Sequence, residues 1–62
     1  MIQPLWNVGD VAKALNVAES WVYARAEDGT LPSLKLGKYR RFDPVAIEEW
    51  VRRQRQGNVN RG

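Results

Sequence analysis

Four cationic side chains fall within seven residues of this 62-residue sequence, in the stretch 34–42. They are Lys35, Lys38, Arg40 and Arg41, with the aromatic Tyr39 among them. Such side chains donate hydrogen bonds and carry positive charge, so the chemistry that they indicate is the binding of an anion. A hairpin with this much unpaired positive charge is stabilised when an anionic partner approaches. A nucleic-acid backbone is the anion that best suits a small basic domain.

The composition argues against several other kinds of site. The sequence has no cysteine and no histidine, so it lacks thiolate metal ligands and the commonest general base. Glu48 and Glu49 are adjacent, but neighbouring helical residues point about 100° apart and do not make a catalytic pair. No apolar stretch approaches the roughly 18 residues of a membrane span, and no leader is recognisable. We therefore expect no enzyme, metal or cofactor, and a cytoplasmic protein of a prokaryote or phage.

The positive charge is concentrated in the second half of the chain. The formal net charge is +3. Residues 1–32 carry two cationic and four acidic side chains, whereas residues 33–62 carry eight and three. This asymmetry favours double-stranded DNA or another anionic surface as the partner, and ordinary surface charge is the alternative.

Two short helices separated by a tight turn should precede the cationic stretch. The first helix is predicted by an apolar stripe, with Asn7 as its N-cap and Asn16 at its C-cap. The stripe consists of Val8, Val11, Ala12 and Leu15. The second helix is predicted from about 18 to 28 and stops at Gly29, with Val22 and Ala26 facing inward. This is helix–turn–helix spacing.

The other face of the second helix is the candidate for base contacts. Ser20 and Arg25 can donate to phosphates or base edges, and Trp21 can pack on a sugar or a thymine methyl. Ala24 on the same face leaves room for close approach to a surface. The alternative for Trp21 is that it completes the small core.

The stretch 34–42 is expected to form a β-hairpin. Alternation places Leu34, Leu36 and Phe42 on one face if residue 36 pairs with 40 and residue 34 with 42, which leaves a three-residue loop. A two-residue type II′ turn that opens on Gly37 is also chemically reasonable. It would move Phe42 to the opposite face, so the longer loop is preferred.

The cations of the hairpin are the sharpest functional signal. A narrow β-ribbon tipped with lysine and arginine fits the minor groove or a phosphate backbone. The alternative is protection of a strand edge against aggregation, which needs only one or two charges. In the expected register Lys35 lies opposite Arg41, and like charges directly opposite are destabilising. We predict DNA contacts by Lys35, Lys38, Tyr39, Arg40 and Arg41.

A third helix is predicted to begin at Pro44, with Asp43 as its N-cap. Its apolar stripe is Ile47, Trp50 and Val51. Arginines crowd its last turns, where Arg52 and Arg53 either contact a DNA backbone or only compensate the helix dipole. Gly57 is expected to end the helix. The prediction is therefore one domain over 1–57 and a disordered tail over 58–62.

In order and spacing, these motifs resemble the excisionase and MerR-like winged helix-turn-helix family over about residues 5–53. The residues that carry the resemblance are Val8–Ala12, Leu15–Val17, Ser20–Tyr23, Asp28–Pro32, Leu36–Phe42 and Ile47–Trp50. The resemblance implies a mainly α fold with three helices and a two-stranded wing. It further implies that the second helix enters the major groove and that the wing touches the adjacent minor groove or backbone.

Carried over by position, the resemblance assigns the major-groove face and the wing. The major-groove face is Ser20, Trp21, Ala24 and Arg25, and the wing contributes Lys38, Arg40 and Arg41. Tyr23 matches an aromatic residue common in the family, which braces the wing or reaches a phosphate. Ala18 replaces the usual serine-type cap, Ala24 stands where a basic residue is frequent, and Arg40 where a bulky apolar residue is frequent. We therefore expect thin direct readout, with more of the binding resting on the wing and on DNA shape.

The resemblance implies an excisionase-like recombination directionality factor, which binds and bends attachment-site DNA, with an integrase and neighbouring copies of itself as partners. A small MerR- or AlpA-type transcription regulator is the close alternative. A terminase-type DNA-binding domain shares the fold. A protein-binding module, such as an antirepressor, is the alternative from another class.

Overall fold

Three helices and one hairpin make up residues 4–58, the part of the chain that the computed structural model describes. The helices are α1 (Val8–Leu15), α2 (Glu19–Glu27) and α3 (Pro44–Asn58), and the strands β1 (Leu34–Leu36) and β2 (Tyr39–Arg41) lie between α2 and α3. The strands form a two-stranded antiparallel sheet. The predicted winged helix-turn-helix architecture is confirmed. Residues 59–62 of the predicted tail lie outside the described residues.

Helix α1 begins and ends at the predicted caps. The Asn7 side chain accepts a hydrogen bond from the Asp10 N–H at 2.8 Å, and the Asp10 carboxylate accepts one from the Asn7 N–H at 3.1 Å. This reciprocal capping box satisfies two backbone donors at once. Asn16 ends the helix in the left-handed conformation, with φ 60° and ψ 50°. These local signals determine where the turn of the helix–turn–helix begins.

Helix α2 is slightly shorter than the predicted stretch 18–28, because its flanking residues act as caps. Ala18 is the N-cap and supplies no side-chain hydrogen bond. Asp28 is the C-cap and is followed by Gly29 at φ +84°. The Leu31 N–H then donates to the Arg25 carbonyl at 3.1 Å. The chain leaves α2 through this tight turn and enters the hairpin.

The predicted register of the hairpin is wrong. Leu34 pairs with Arg41, Lys35 with Arg40 and Leu36 with Tyr39, so the loop has two residues rather than three. Gly37 has φ +64°, and Lys38 has no positive φ. This pattern matches a type II′ turn, in which only the first central residue needs positive φ.

The burial of Phe42 explains why the predicted hairpin register is wrong. Phe42 is fully buried, whereas Leu34 and Leu36 are 44% and 50% exposed, so the three do not share an apolar face. Phe42 is instead fixed by an isolated bridge to Trp6, with both backbone N–H···O hydrogen bonds at 2.8 Å. The segment before α1 therefore determines the position of Phe42. The like charge opposite Lys35 is accordingly Arg40 rather than Arg41.

The core lies among the three helices and the base of the hairpin. Its fully buried side chains include Val11, Val22, Leu31, Phe42 and Ile47. Helix α3 begins as predicted, with the Asp43 carboxylate accepting a hydrogen bond from the Val45 N–H at 3.0 Å. It continues to Asn58, one residue beyond the predicted end. The predicted inward residues of α1, α2 and α3 meet in this core or pack against it.

Candidate nucleic-acid interface

A groove runs between α2 and the hairpin, beside the start of α1. Glu19, Tyr23 and Glu27 line it from α2, spaced four residues apart on one flank of the helix. All the predicted wing residues line it from the hairpin, namely Lys35, Lys38, Tyr39, Arg40 and Arg41. Tyr23, with an exposed fraction of 55%, completes the set. The structure therefore brings the predicted wing residues and Tyr23 together.

The observed register divides the wing into two faces. Leu34, Leu36, Tyr39 and Arg41 share one, which we call the leucine face. Lys35 and Arg40 share the other, which we call the Arg40 face. Phe42 continues the Arg40 face by alternation and is fully buried. Arg40 and Phe42 are therefore turned toward the protein, whereas Lys35 on the same face is exposed, as are Leu34, Leu36 and Tyr39 of the leucine face.

Two cations gather at Tyr39. The Arg41 guanidinium lies 5.2 Å from the centroid of the Tyr39 ring, and the Lys38 Nζ lies 5.6 Å from it. Attraction to the ring face holds these flexible side chains near one place. The Arg41 guanidinium also donates to the Arg40 carbonyl at 2.9 Å. The tip of the wing and the leucine face thus present an ordered pair of cations around an exposed aromatic ring.

Arg40 is bound within the protein itself. Its Nη2 donates to Glu27 Oε1 at 2.8 Å, and its Nη1 donates to Ser33 Oγ at 3.2 Å. The Arg40 side chain is only 18% exposed, while that of Glu27 is 76% exposed. DNA contact by Arg40 stays a prediction. In the free protein, part of its charge is already matched by a carboxylate.

The predicted base-reading face of α2 lies outside the groove. Ser20 and Ala24 are exposed on α2. Trp21 is half-buried and packs against the core. This is the alternative that the sequence analysis gave for Trp21. The Arg25 guanidinium lies 5.9 Å from the centroid of the Trp21 ring and 2.9 Å from the Asp28 carboxylate. This face of α2 therefore exposes the short side chains of Ser20 and Ala24, and its one arginine is already bonded to Asp28.

Asp28 organises the end of this helix. Hydrogen bonds from the side chain and the backbone N–H of Thr30, and then the charge and hydrogen bond of Arg25, lower the pKa of Asp28 below its usual value. The N–H of Thr30 lies 2.8 Å from the Asp28 carboxylate. The Asp28 carboxylate in turn positions the Arg25 guanidinium.

The arginines of α3 are separate from these surfaces. Arg52 and Arg53 are exposed on α3 and do not line the groove, so backbone contacts by them stay a prediction.

Sequence reasoning missed the acidic groove residues Glu19 and Glu27. Their spacing of four from Tyr23 was the available signal, because residues i and i+4 share a helix face. Within residues 4–58, no helix has the length and apolar character that a membrane crossing requires.

The order of elements and the charged wing agree with a comparison to known families. The family model of a helix-turn-helix domain matches residues 7–55. The chain belongs to this family. Its members are excisionase-like and AlpA-type small DNA-binding domains, so this is a DNA-binding helix-turn-helix protein. No curated protein and no solved structure matches the chain.

The match covers α1, α2, the hairpin and most of α3. All the predicted contact residues of this helix-turn-helix domain therefore lie within the matched range. The match identifies the partner as DNA, and the geometry indicates how the charge is presented to it. The cationic groups of Lys38 and Arg41 lie beside the Tyr39 ring, and Arg40 forms an ion pair with Glu27 of α2.

Proposed function

We propose that this helix-turn-helix domain is an excisionase-like recombination directionality factor. It binds short sites near the attachment region of a phage or mobile element, bends the DNA and helps an integrase act in the excisive direction. The integrase and neighbouring copies of the domain on DNA are its proposed partners. We propose a cytoplasmic protein that is prokaryotic or phage-encoded, and a role that involves no catalysis.

One observation carries this proposal: α2 offers few base-reading groups, while the wing beside it is rich in cations. Ser20 and Ala24 are short, and Arg25 is bonded to Asp28. Within residues 4–58, neither Lys38 nor Arg41 takes part in an ion pair. Binding that rests on backbone charge and DNA shape is the mode of proteins that bend DNA.

The leucine face fits a bent minor groove. Leu36 and Tyr39 are about half exposed and lie beside Arg41. Architectural proteins combine arginine with apolar side chains in the minor groove, where the apolar groups open a base step and kink the duplex. In this arrangement α2 occupies the adjacent major groove, and the wing reaches the minor groove next to it.

The test begins with selection of bound duplexes from a randomised pool. The selected duplex, labelled at both ends, is then examined by energy transfer with and without the protein. We expect a preferred site and a shortened end-to-end distance. Integrase-catalysed excision of a substrate that carries the selected site should then depend on the protein. A straight duplex and excision that does not respond to the protein would contradict the proposal.

Substitutions in α2 test the assignment of the recognition helix within the same selection. Ser20→Ala and Arg25→Ala should relax the sequence preference, because they remove the donors that face base edges. An unchanged preference in both variants would contradict the assignment.

A MerR- or AlpA-type transcription regulator is the second candidate, because AlpA-type domains share the matched family. That function predicts an operator within a promoter and a change in transcription, without dependence of excision on the protein. A protein-binding module, such as an antirepressor, predicts instead a partner whose binding survives loss of Lys38 and Arg41.

A further inference from the structure

We infer that Arg40 is a positioning residue, which sets the wing against α2, rather than a phosphate ligand. The inference rests on the proposed function, because it concerns how the wing is presented to DNA. Its two hydrogen bonds, from Nη2 to Glu27 at 2.8 Å and from Nη1 to Ser33 at 3.2 Å, are here called the Arg40 tie. Glu27 is the last residue of α2, and Ser33 directly precedes β1. The tie therefore joins β2 to both segments.

The register places a like charge opposite Arg40, which the tie can offset. Arg40 lies directly opposite Lys35 in the hairpin, and like charges at that position destabilise a strand pair. The Glu27 carboxylate offsets this repulsion at the place where it arises. The two-stranded wing is short, with three residues in each strand. An isolated two-stranded hairpin is at best marginally stable in water, so a contact outside the strands matters for its position.

The side-chain chemistry also favours positioning. The guanidinium fork donates to two acceptors in a fixed plane, which an ammonium group does not reproduce. The side chain is 18% exposed, so its stem is largely covered by protein. A phosphate bound by the remaining N–H groups of Arg40 would lie beside the Glu27 carboxylate, which repels it.

Glu27→Gln separates the two roles by the sign of its effect. If Arg40 contacts phosphate, loss of the Glu27 charge frees Arg40 and removes a repulsion, so duplex binding becomes tighter. If Arg40 positions the wing, the weakened tie lets the wing move, and binding becomes weaker. Because Glu27→Gln also removes a negative charge beside the DNA, its affinity is compared with that of Glu19→Gln, and we expect it to be about 1.5- to 5-fold weaker, the range that corresponds to exposed ion pairs. Glu19→Gln is the matched control, since Glu19 lines the same groove and has no ion pair within residues 4–58.

Arg40→Lys provides the second comparison. It keeps the positive charge and loses the two-acceptor geometry. We expect it to weaken binding as Glu27→Gln does, without lowering the dependence of the affinity on salt. A direct phosphate contact predicts instead that lysine largely preserves the affinity. Binding is measured by fluorescence anisotropy on one generic duplex over a range of salt.

Hydrogen exchange of the free protein provides a readout that does not depend on DNA. Amides of 34–41 should exchange faster in Glu27→Gln and Arg40→Lys than in the wild type and in Glu19→Gln. If both the exchange and the affinity of Glu27→Gln match those of Glu19→Gln, the inference is overturned while DNA binding stands. If the wild type binds no duplex although the exchange responds, the proposed function fails and the tie is only a structural contact.

Discussion

Among the wing cations, Lys38 and Arg41 converge on Tyr39, and within residues 4–58 neither forms an ion pair. We predict that Lys38→Ala or Arg41→Ala weakens binding to a similar degree on all duplex sequences. Each should also reduce the slope of log affinity against log salt by about one unit, because one phosphate contact is lost. Anisotropy titrations on two unrelated duplexes measure both quantities.

Lys13→Ala is the control for this pair. It removes the same charge from an exposed position on α1 that does not line the groove. It should therefore leave the salt slope close to that of the wild type. Equal effects of Lys13→Ala and Lys38→Ala would mean that only net charge matters, and the wing would then have no specific role.

Asp28 makes stability depend on pH at the acid end. The pKa of its carboxyl is lowered in the folded chain by Thr30 and then by Arg25. A group whose pKa is lowered by folding stabilises the native state above its unfolded pKa, about 3.9. This contribution is lost as the pH falls through the folded value. We predict that Asp28→Asn lowers the free energy of unfolding at pH 7, and that the difference becomes smaller as the pH falls below the unfolded pKa.

Urea unfolding at pH 7 and near pH 2 measures this effect. A deficit of Asp28→Asn that is as large near pH 2 as at pH 7 would show that the ionised carboxylate is not its cause.

The conformation of the hairpin turn depends on Gly37. Gly37 has φ +64°, and a Cβ there would meet nothing within 4 Å. Any penalty of Gly37→Ala therefore comes from the backbone conformation alone. We predict a loss of about 1–2 kcal/mol in the free energy of unfolding, the usual cost of a left-handed conformation for an L-residue.

Lys38→Ala is the matched control, because it lies in the same turn without positive φ. Urea unfolding should separate the two variants. If Gly37→Ala proves as stable as Lys38→Ala, the two-residue turn is not the one that the protein adopts.

The elements also show what a sequence reveals. The starts of α1 and α3 were predictable, because Asn7 with Asp10 and Asp43 with Pro44 are local signals whose geometry needs no distant partner. For the hairpin, the sequence offered the observed two-residue type II′ turn as the alternative, but the choice between the two registers was not predictable. Phe42 is placed by Trp6, far away in the sequence, and alternation within 34–42 contains no trace of that bridge.

The same limit applies to the candidate site. The cations of the wing and Tyr23 were found from residue type and spacing, and the structure gathers them in one groove. The engagement of Arg40 was missed, because its partner Glu27 lies 13 residues earlier. Similarly, Trp21 was assigned to an exposed face although it packs against the core. Contacts between elements determine which of several similar cations remains free.

At the scale of the whole molecule, charge and core are divided between the two halves of the chain. The first half supplies most of the buried side chains of the core and is acidic, and the second supplies the basic wing and the arginine-rich end of α3. The small core fixes the wing relative to α2 through Phe42, and the Arg40 tie adds a polar contact at the surface. The domain thus presents a rigid helix and a charged ribbon side by side.

Anisotropy of a generic labelled duplex, titrated with the wild-type protein from low to physiological salt, tests the central claim most directly. We predict binding at low salt that falls steeply as salt rises, with a slope equivalent to several phosphate contacts. No binding even at about 50 mM salt would contradict DNA binding by this domain.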